Sequence, residues 1–187
     1  MKKIVIFILT ALVAWSSATT SASAKDLTRY ATKTVELKEA ASKDSQTVAT
    51  VKMNTKLKVT AQGKTWATVS YNGQTLYARK AELHKTKAVN KWKGKSFKRK
   101  GRGRWNKWSW TWYSQRQLPG RGLKIPGRHM DKKRGFVLDK DGYICLASGR
   151  KNKKNKVIVP TPFGRYGKVY DTNGRNNNHW ADVYVNW

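Results

Sequence analysis

Acidic residues are scarce in this 187-residue chain, with 10 Asp and Glu against 40 Lys and Arg and a formal charge of +30. Any acid–base chemistry must therefore rest on a handful of carboxylates. Cysteine is scarcer still. Cys145 stands alone, so no intramolecular disulfide forms and the fold must rest on its apolar core. Its setting, Tyr143-Ile144-Cys145-Leu146, is that of a buried, inert thiol. His84, His129 and His179 are scattered, and none has a second ligand at zinc-like spacing, so neither a metal site nor a cofactor is expected. After residue 24 no long apolar run follows, which removes a transmembrane segment from the expected mature protein.

Residues 1–24 read as a secretory signal: Lys2 and Lys3, an apolar run over 4–15, then small residues ending Ala22-Ser23-Ala24. Loss of Lys2 and Lys3 with that segment lowers the formal charge from +30 to +28. Such a charge attracts polyanions, and an exported protein meets anionic wall polymers, peptidoglycan carboxylates and membrane surfaces. Export argues against a specific nucleic-acid partner, and a secreted, wall-associated monomer is expected.

An all-β chain is expected. Strand-like runs at 34–37, 47–51, 56–60, 66–71 and 75–78 are separated by turn residues, among them Asn72-Gly73, a strong hairpin signal. The pattern predicts a small barrel over 25–84. The stretches "KMNTKLKV" (52–59) and "YNGQTLYARKAEL" (71–83), with the Trp66 strand, resemble a bacterial SH3-like domain. That resemblance implies a module tethering the protein to cell walls.

Residues 85–107 carry Lys and Arg throughout without an acid, which predicts a mobile basic linker serving as a spacer or as an electrostatic anchor to anionic wall polymers. In the following "WSWTWYS", Trp108, Trp110 and Trp112 recur with period two and share one strand face. Such a row serves either as core or as a sugar-stacking platform. Further strand-like runs at 135–138, 143–146, 157–159, 167–170 and 180–185 place a second β unit over 108–187. "RKNKKNK" at 150–156 reads as an exposed basic turn.

Five acids lie in this second unit, all aspartates: Asp131, Asp139, Asp141, Asp171 and Asp182. Asp139 and Asp141 flank Lys140 before Gly142 and read as turn formers. Asp171 and Asp182 adjoin apolar strand-like runs, where antiparallel pairing would bring them to one groove.

The stretches "TWYS" (111–114), "GYICLAS" (142–148), "TPFGRYGKVYDTNG" (161–174) and "ADVYVNW" (181–187) resemble the three-aspartate domain of lytic transglycosylases and resuscitation-type muralytic proteins. The resemblance implies a six-stranded double-psi β-barrel. Asp171 takes the place of the aspartate in the family's D-T-G-G step, and Asp182 that in its terminal D-x-Y. The family's remaining aspartate, in an A-V-D-P step, falls near Ala147 and Ser148, unless Asp139 or Asp141 supplies it in another register. The implied activity is cleavage of the MurNAc–GlcNAc bond, with Asp182 as general acid/base and Asp171 orienting the sugar. Trp108, Trp110, Trp112, Tyr113, Trp180 and Tyr184 would contact substrate. The alternatives are a non-catalytic wall-glycan binder and a cationic effector acting on membranes or DNA.

Overall fold

A computed structural model describes residues 26–114 and 123–187, and the expected signal segment lies outside the described residues. The chain is all-β, built on a seven-stranded sheet and an eight-stranded sheet curled into a half-barrel.

The first sheet comprises β1 (Leu27–Ala31), β2 (Val35–Lys38), β3 (Thr47–Val51), β4 (Lys56–Gln62), β5 (Trp66–Tyr71), β6 (Gln74–Arg79) and β7 (Leu83–His84), in the order β3-β2-β6-β5-β4-β1-β7. Alternation along each strand decides which side chains face inward. Val35 and Leu37, Leu57 and Val59, Ala67 and Val69, and Leu76 and Ala78 form the core, while the residues between them, Glu36, Lys58, Thr68 and Tyr77, face away from it. Asn72 and Gly73 both have positive φ (49° and 78°), the geometry of a two-residue hairpin turn, and they set the β5–β6 register.

The second unit begins earlier than its strand pattern suggests. Helix α1 (Gly94–Lys100) and strand β8 (Arg102–Trp105) precede β9 (Trp108–Ser114). They are followed by β10 (His129–Met130), β11 (Val137–Leu138), β12 (Ile144–Ser148), helix α2 (Arg150–Lys154), β13 (Ile158–Pro160), β14 (Tyr166–Thr172) and β15 (Trp180–Val185). Two pairings are parallel, β9 with β15 and β12 with β14. The sheet is covered on both faces. Trp110, Leu146, Val169, Val183 and Val185 pack on one side with Phe97, Phe136 and Phe163; Cys145, Ala147, Tyr170 and Tyr184 pack on the other with Ile125 and Val137.

Three expectations are corrected here. The stretch 85–107 is not a free linker. The Val89, Lys91 and Trp92 amides donate to the Thr161 and Pro162 carbonyls, β8 pairs with β9, and Phe97 is buried in the core. Its lysines do point outward, and Ala88, Trp92 and Phe97 between them supply the anchors. The Trp row serves as core: Trp110 is fully buried, and Trp108 and Trp112 pack against the same cluster. The 150–156 turn is largely the helix α2, whose Asn152 is buried and donates to Ser148 Oγ and the Asn178 carbonyl.

The two units are in direct contact. Thr32 Oγ1 and the Tyr143 hydroxyl share a buried 2.6 Å hydrogen bond, and Lys33 lies 3.1 Å from Glu82 and 3.3 Å from Asp141. Asn54 clasps the Ala88 backbone, donating to its carbonyl and accepting from its amide, each at 3.1 Å. The Tyr166 hydroxyl donates to the Thr86 carbonyl at 2.9 Å.

Candidate functional site

Strand register brings the two aspartates together. Ala147 on β12 is opposite Asp171 on β14 and Asp182 on β15, and Asp182 is opposite Thr111 on β9. These residues form one row across four strands. At roughly 4.8 Å per strand, the two aspartate Cα atoms stand about 10 Å apart with only an alanine methyl between them. A register shift in the β12–β14 pairing creates this arrangement: Leu146 pairs with Val169, but Ala147 pairs with Asp171 and skips Tyr170. Without the bulge, Tyr170 would oppose Ala147 and Asp171 would face away.

The row floors a pocket of about 220 Å³ lined by Tyr113, Ala147, Asp171, Asn173, Asp182 and Tyr184, among others. Asp171 is held on three sides. Its Oδ1 accepts from the Thr172 amide at 2.8 Å and lies 3.2 Å from Lys153 Nζ, and its Oδ2 accepts from the Tyr184 hydroxyl at 2.9 Å. Partial burial pushes its pKa up, but these donors outweigh burial and hold it below the ordinary carboxylate range. Burial and the bond to Asp171 push the Tyr184 hydroxyl up, so Tyr184 stays protonated as a donor. Asp182 sits at the end of a relay: Trp180 Nε1 donates to Thr111 Oγ1 at 2.7 Å, and Thr111 Oγ1 donates to Asp182 Oδ1. Among the described residues, Asp182 Oδ2 accepts no hydrogen bond.

Of the aromatic residues expected at the site, Tyr113 and Tyr184 line the pocket, and Tyr113 is exposed. Trp180 reaches it only through its indole N–H, and the Arg175 guanidinium lies over its ring at 4.7 Å. Trp110 and Trp112 belong to the core side, and Trp108 borders a separate pocket with His84 and His179. Thr111 and Lys153 are site residues that the sequence does not single out, and only strand register and the fold of α2 bring them to Asp182 and Asp171. Asp139 forms the expected turn, its carbonyl accepting from the Gly142 amide, and it is fully buried; its carboxylate accepts from the Asp141 and Tyr143 amides and from the Tyr170 hydroxyl, away from the pocket.

A second concavity of about 270 Å³ lies on the first unit, between Lys33, Thr34, Glu36, Lys38, Trp66 and Arg79 among others, where the Arg79 guanidinium stacks over Trp66 at 5.2 Å. No curated protein and no solved structure matches the chain. The first unit does match a family: residues 33–84, from just before β2 to the end of β7, match the bacterial SH3 domain.

Proposed function

We propose that this is an exported cell-wall-binding protein: the SH3 domain anchors it, and the pocket over Ala147 binds a wall glycan without cleaving it. The row Asp171–Ala147–Asp182 carries this reading. Two hydrogen-bond-accepting carboxylates flank a small floor, with the exposed Tyr113 ring at the rim. That combination suits sugar hydroxyls and a sugar face. Cleavage is less well supported. Asp171 is held ionised by Thr172, Tyr184 and Lys153, which leaves Asp182 as the one carboxyl of the pair to act as an acid, and an alanine occupies the position between the two. The pocket is also small for a disaccharide.

One observation favours a second reading, lytic transglycosylase activity: among the described residues no group donates to Asp182 Oδ2. In that chemistry Asp182 gives its proton to the glycosidic oxygen, the C–O bond breaks, and the sugar's 6-hydroxyl closes on the anomeric carbon. The hydroxyl proton then returns to Asp182. A single carboxyl suffices because the nucleophile is intramolecular.

Incubation of the purified chain with peptidoglycan separates the readings. Binding should be saturable, and Asp182→Asn should weaken it by about tenfold, the worth of one hydrogen bond to a charged acceptor. Release of 1,6-anhydro products that ceases in Asp182→Asn would establish the second reading instead. Failure of the chain to sediment with peptidoglycan would overturn both.

A further inference from the structure

Helix α1 stands between two furrows. One, of about 420 Å³, is lined by Lys91, Lys93, Lys100 and Arg102 with Trp92 and Phe97. The other, of about 610 Å³, brings Lys93, Lys95 and Lys98 together with Lys132, Lys133 and Arg134. The turn 131–135 lies directly beside the start of α1, since a Cβ on Gly94 would meet the Arg134 carbonyl at 3.3 Å. No acidic residue lines either furrow, and the nearby Asp131 carboxylate caps its own turn by accepting from the Lys133 and Arg134 amides. Every one of these Lys and Arg side chains is exposed, and none is in an ion pair among the described residues.

Like charges held this close repel one another, and the fold keeps them there by burying Phe97 against Trp92 and Phe163. A cationic surface maintained at that cost points to a polyanion. Its chemistry can be narrowed. A membrane-binding face presents apolar side chains for insertion, yet among the described residues the large exposed hydrophobics are Leu27, Val48 and Tyr113, none of which lines the furrows. A single-stranded nucleic acid needs open aromatic faces for base stacking. Trp92 offers none, since its ring stacks on Phe97 at 5.6 Å and Gly103 lies against it so closely that a Cβ there would fall 2.4 Å from the ring, and Trp187, at the second furrow, packs against Phe136 and Trp112 with Gly135 so close that a Cβ there would fall 2.8 Å from its ring. Two furrows with lysines spaced along both suit a flexible chain carrying a charge at each repeat.

We propose that the α1 furrows bind a polyphosphodiester of the kind that decorates bacterial walls, its backbone phosphates pairing with lysines of α1 and of the 132–134 turn. The proposal rests on the wall-binding reading above but not on the glycan pocket.

The test measures binding of the full chain to poly(glycerol phosphate) over a range of salt concentrations. A furrow variant (K93Q, K95Q, K98Q, K132Q, K133Q) is compared with a control of equal charge loss (K52Q, K56Q, K64Q, K151Q, K154Q). The furrow variant should lose on the order of 100-fold in affinity, and its log–log salt slope should fall by roughly three, as expected for about five lost phosphate contacts on a flexible strand. The control should change by less than about threefold, and peptidoglycan stripped of anionic polymers should bind all three proteins alike, which reads the glycan pocket and SH3 domain separately. Equal losses in the two variants would overturn the proposal in favour of diffuse charge. Equally tight, furrow-dependent binding of duplex DNA or of anionic phospholipid vesicles would overturn the assignment to a wall phosphodiester.

Discussion

Truncating Phe97 to alanine tests whether the lysine-rich stretch is part of the folded unit. Phe97 is 3% exposed, and its ring lies 5.6 Å from Trp92 and 4.9 Å from Phe163, measured between centroids. Removing a buried phenyl ring costs about 3–5 kcal/mol, including the cavity left behind. Helix α1 lies at the edge of the core and can settle into part of the space, which places the expectation near 3 kcal/mol. For a domain of this size, with a urea dependence of about 1–1.5 kcal/mol per molar, the unfolding midpoint should drop by about 2 M or more. Tryptophan emission is a selective reporter, because Trp66 is the single described tryptophan in the SH3 domain, and Trp92, Trp105, Trp108, Trp110, Trp112, Trp180 and Trp187 all lie in the second unit. The matched surface change Lys98→Ala should alter stability by under about 0.5 kcal/mol, a midpoint shift under about 0.5 M. If Phe97→Ala moved it no further than Lys98→Ala does, the stretch would be a tether after all, and the furrows beside α1 would have no fixed shape.

Three further outcomes follow from the site. Ala147→Val places two more methyl groups on the pocket floor; it should abolish glycan binding at a folding cost of about 1–3 kcal/mol, while sedimentation with peptidoglycan persists through the SH3 domain. Because the folded pKa of Asp171 is depressed, its contribution is present above the unfolded carboxylate pKa and is lost as pH falls through the folded value. Urea titrations should thus show the stability gap between wild type and Asp171→Asn closing between about pH 5 and pH 2, with a gap at neutral pH under about 1 kcal/mol, since the Lys153 pair is half exposed to solvent screening. Cys145, fully buried and with its thiol pKa pushed up by that burial, should resist iodoacetamide in the native protein and react on unfolding; prompt native alkylation would show that the face packed around Cys145 opens.

The SH3 strands were legible because each is local and alternates, and because Asn72-Gly73 names its own turn. Strand β1 was not legible, since its single fully buried residue, Ala31, sits at its end and leaves no period to read. The stretch 85–107 misleads for a related reason: three aromatic anchors, Trp92, Phe97 and Trp105, carry it into the core, and they are too few and too widely spaced to mark a helix among so many lysines. The Trp row shows its strand period plainly, but that period fits both a core and a stacking platform, and only the apolar cover on both faces of the sheet assigns it to the core. Asp171 and Asp182 were identifiable by type and neighbours. Their separation by Ala147 was not, because it depends on a bulge and on pairings between strands far apart in sequence, which no local pattern encodes.

The seam between the two units has a consequence for avidity. With Thr32 bonded to Tyr143, Lys33 shared between Glu82 and Asp141, and Ala88 clasped by Asn54, the SH3 domain is joined to the half-barrel as a bracket rather than by a string. For modules on a flexible string, engaging one raises the local concentration of the other over a broad range of distances. On a bracket that gain is concentrated at one spacing, so ligand sites at the matching separation are held cooperatively and sites at other separations are held singly. Short soluble fragments, which cannot bridge the two faces, would compete poorly against the intact polymer network.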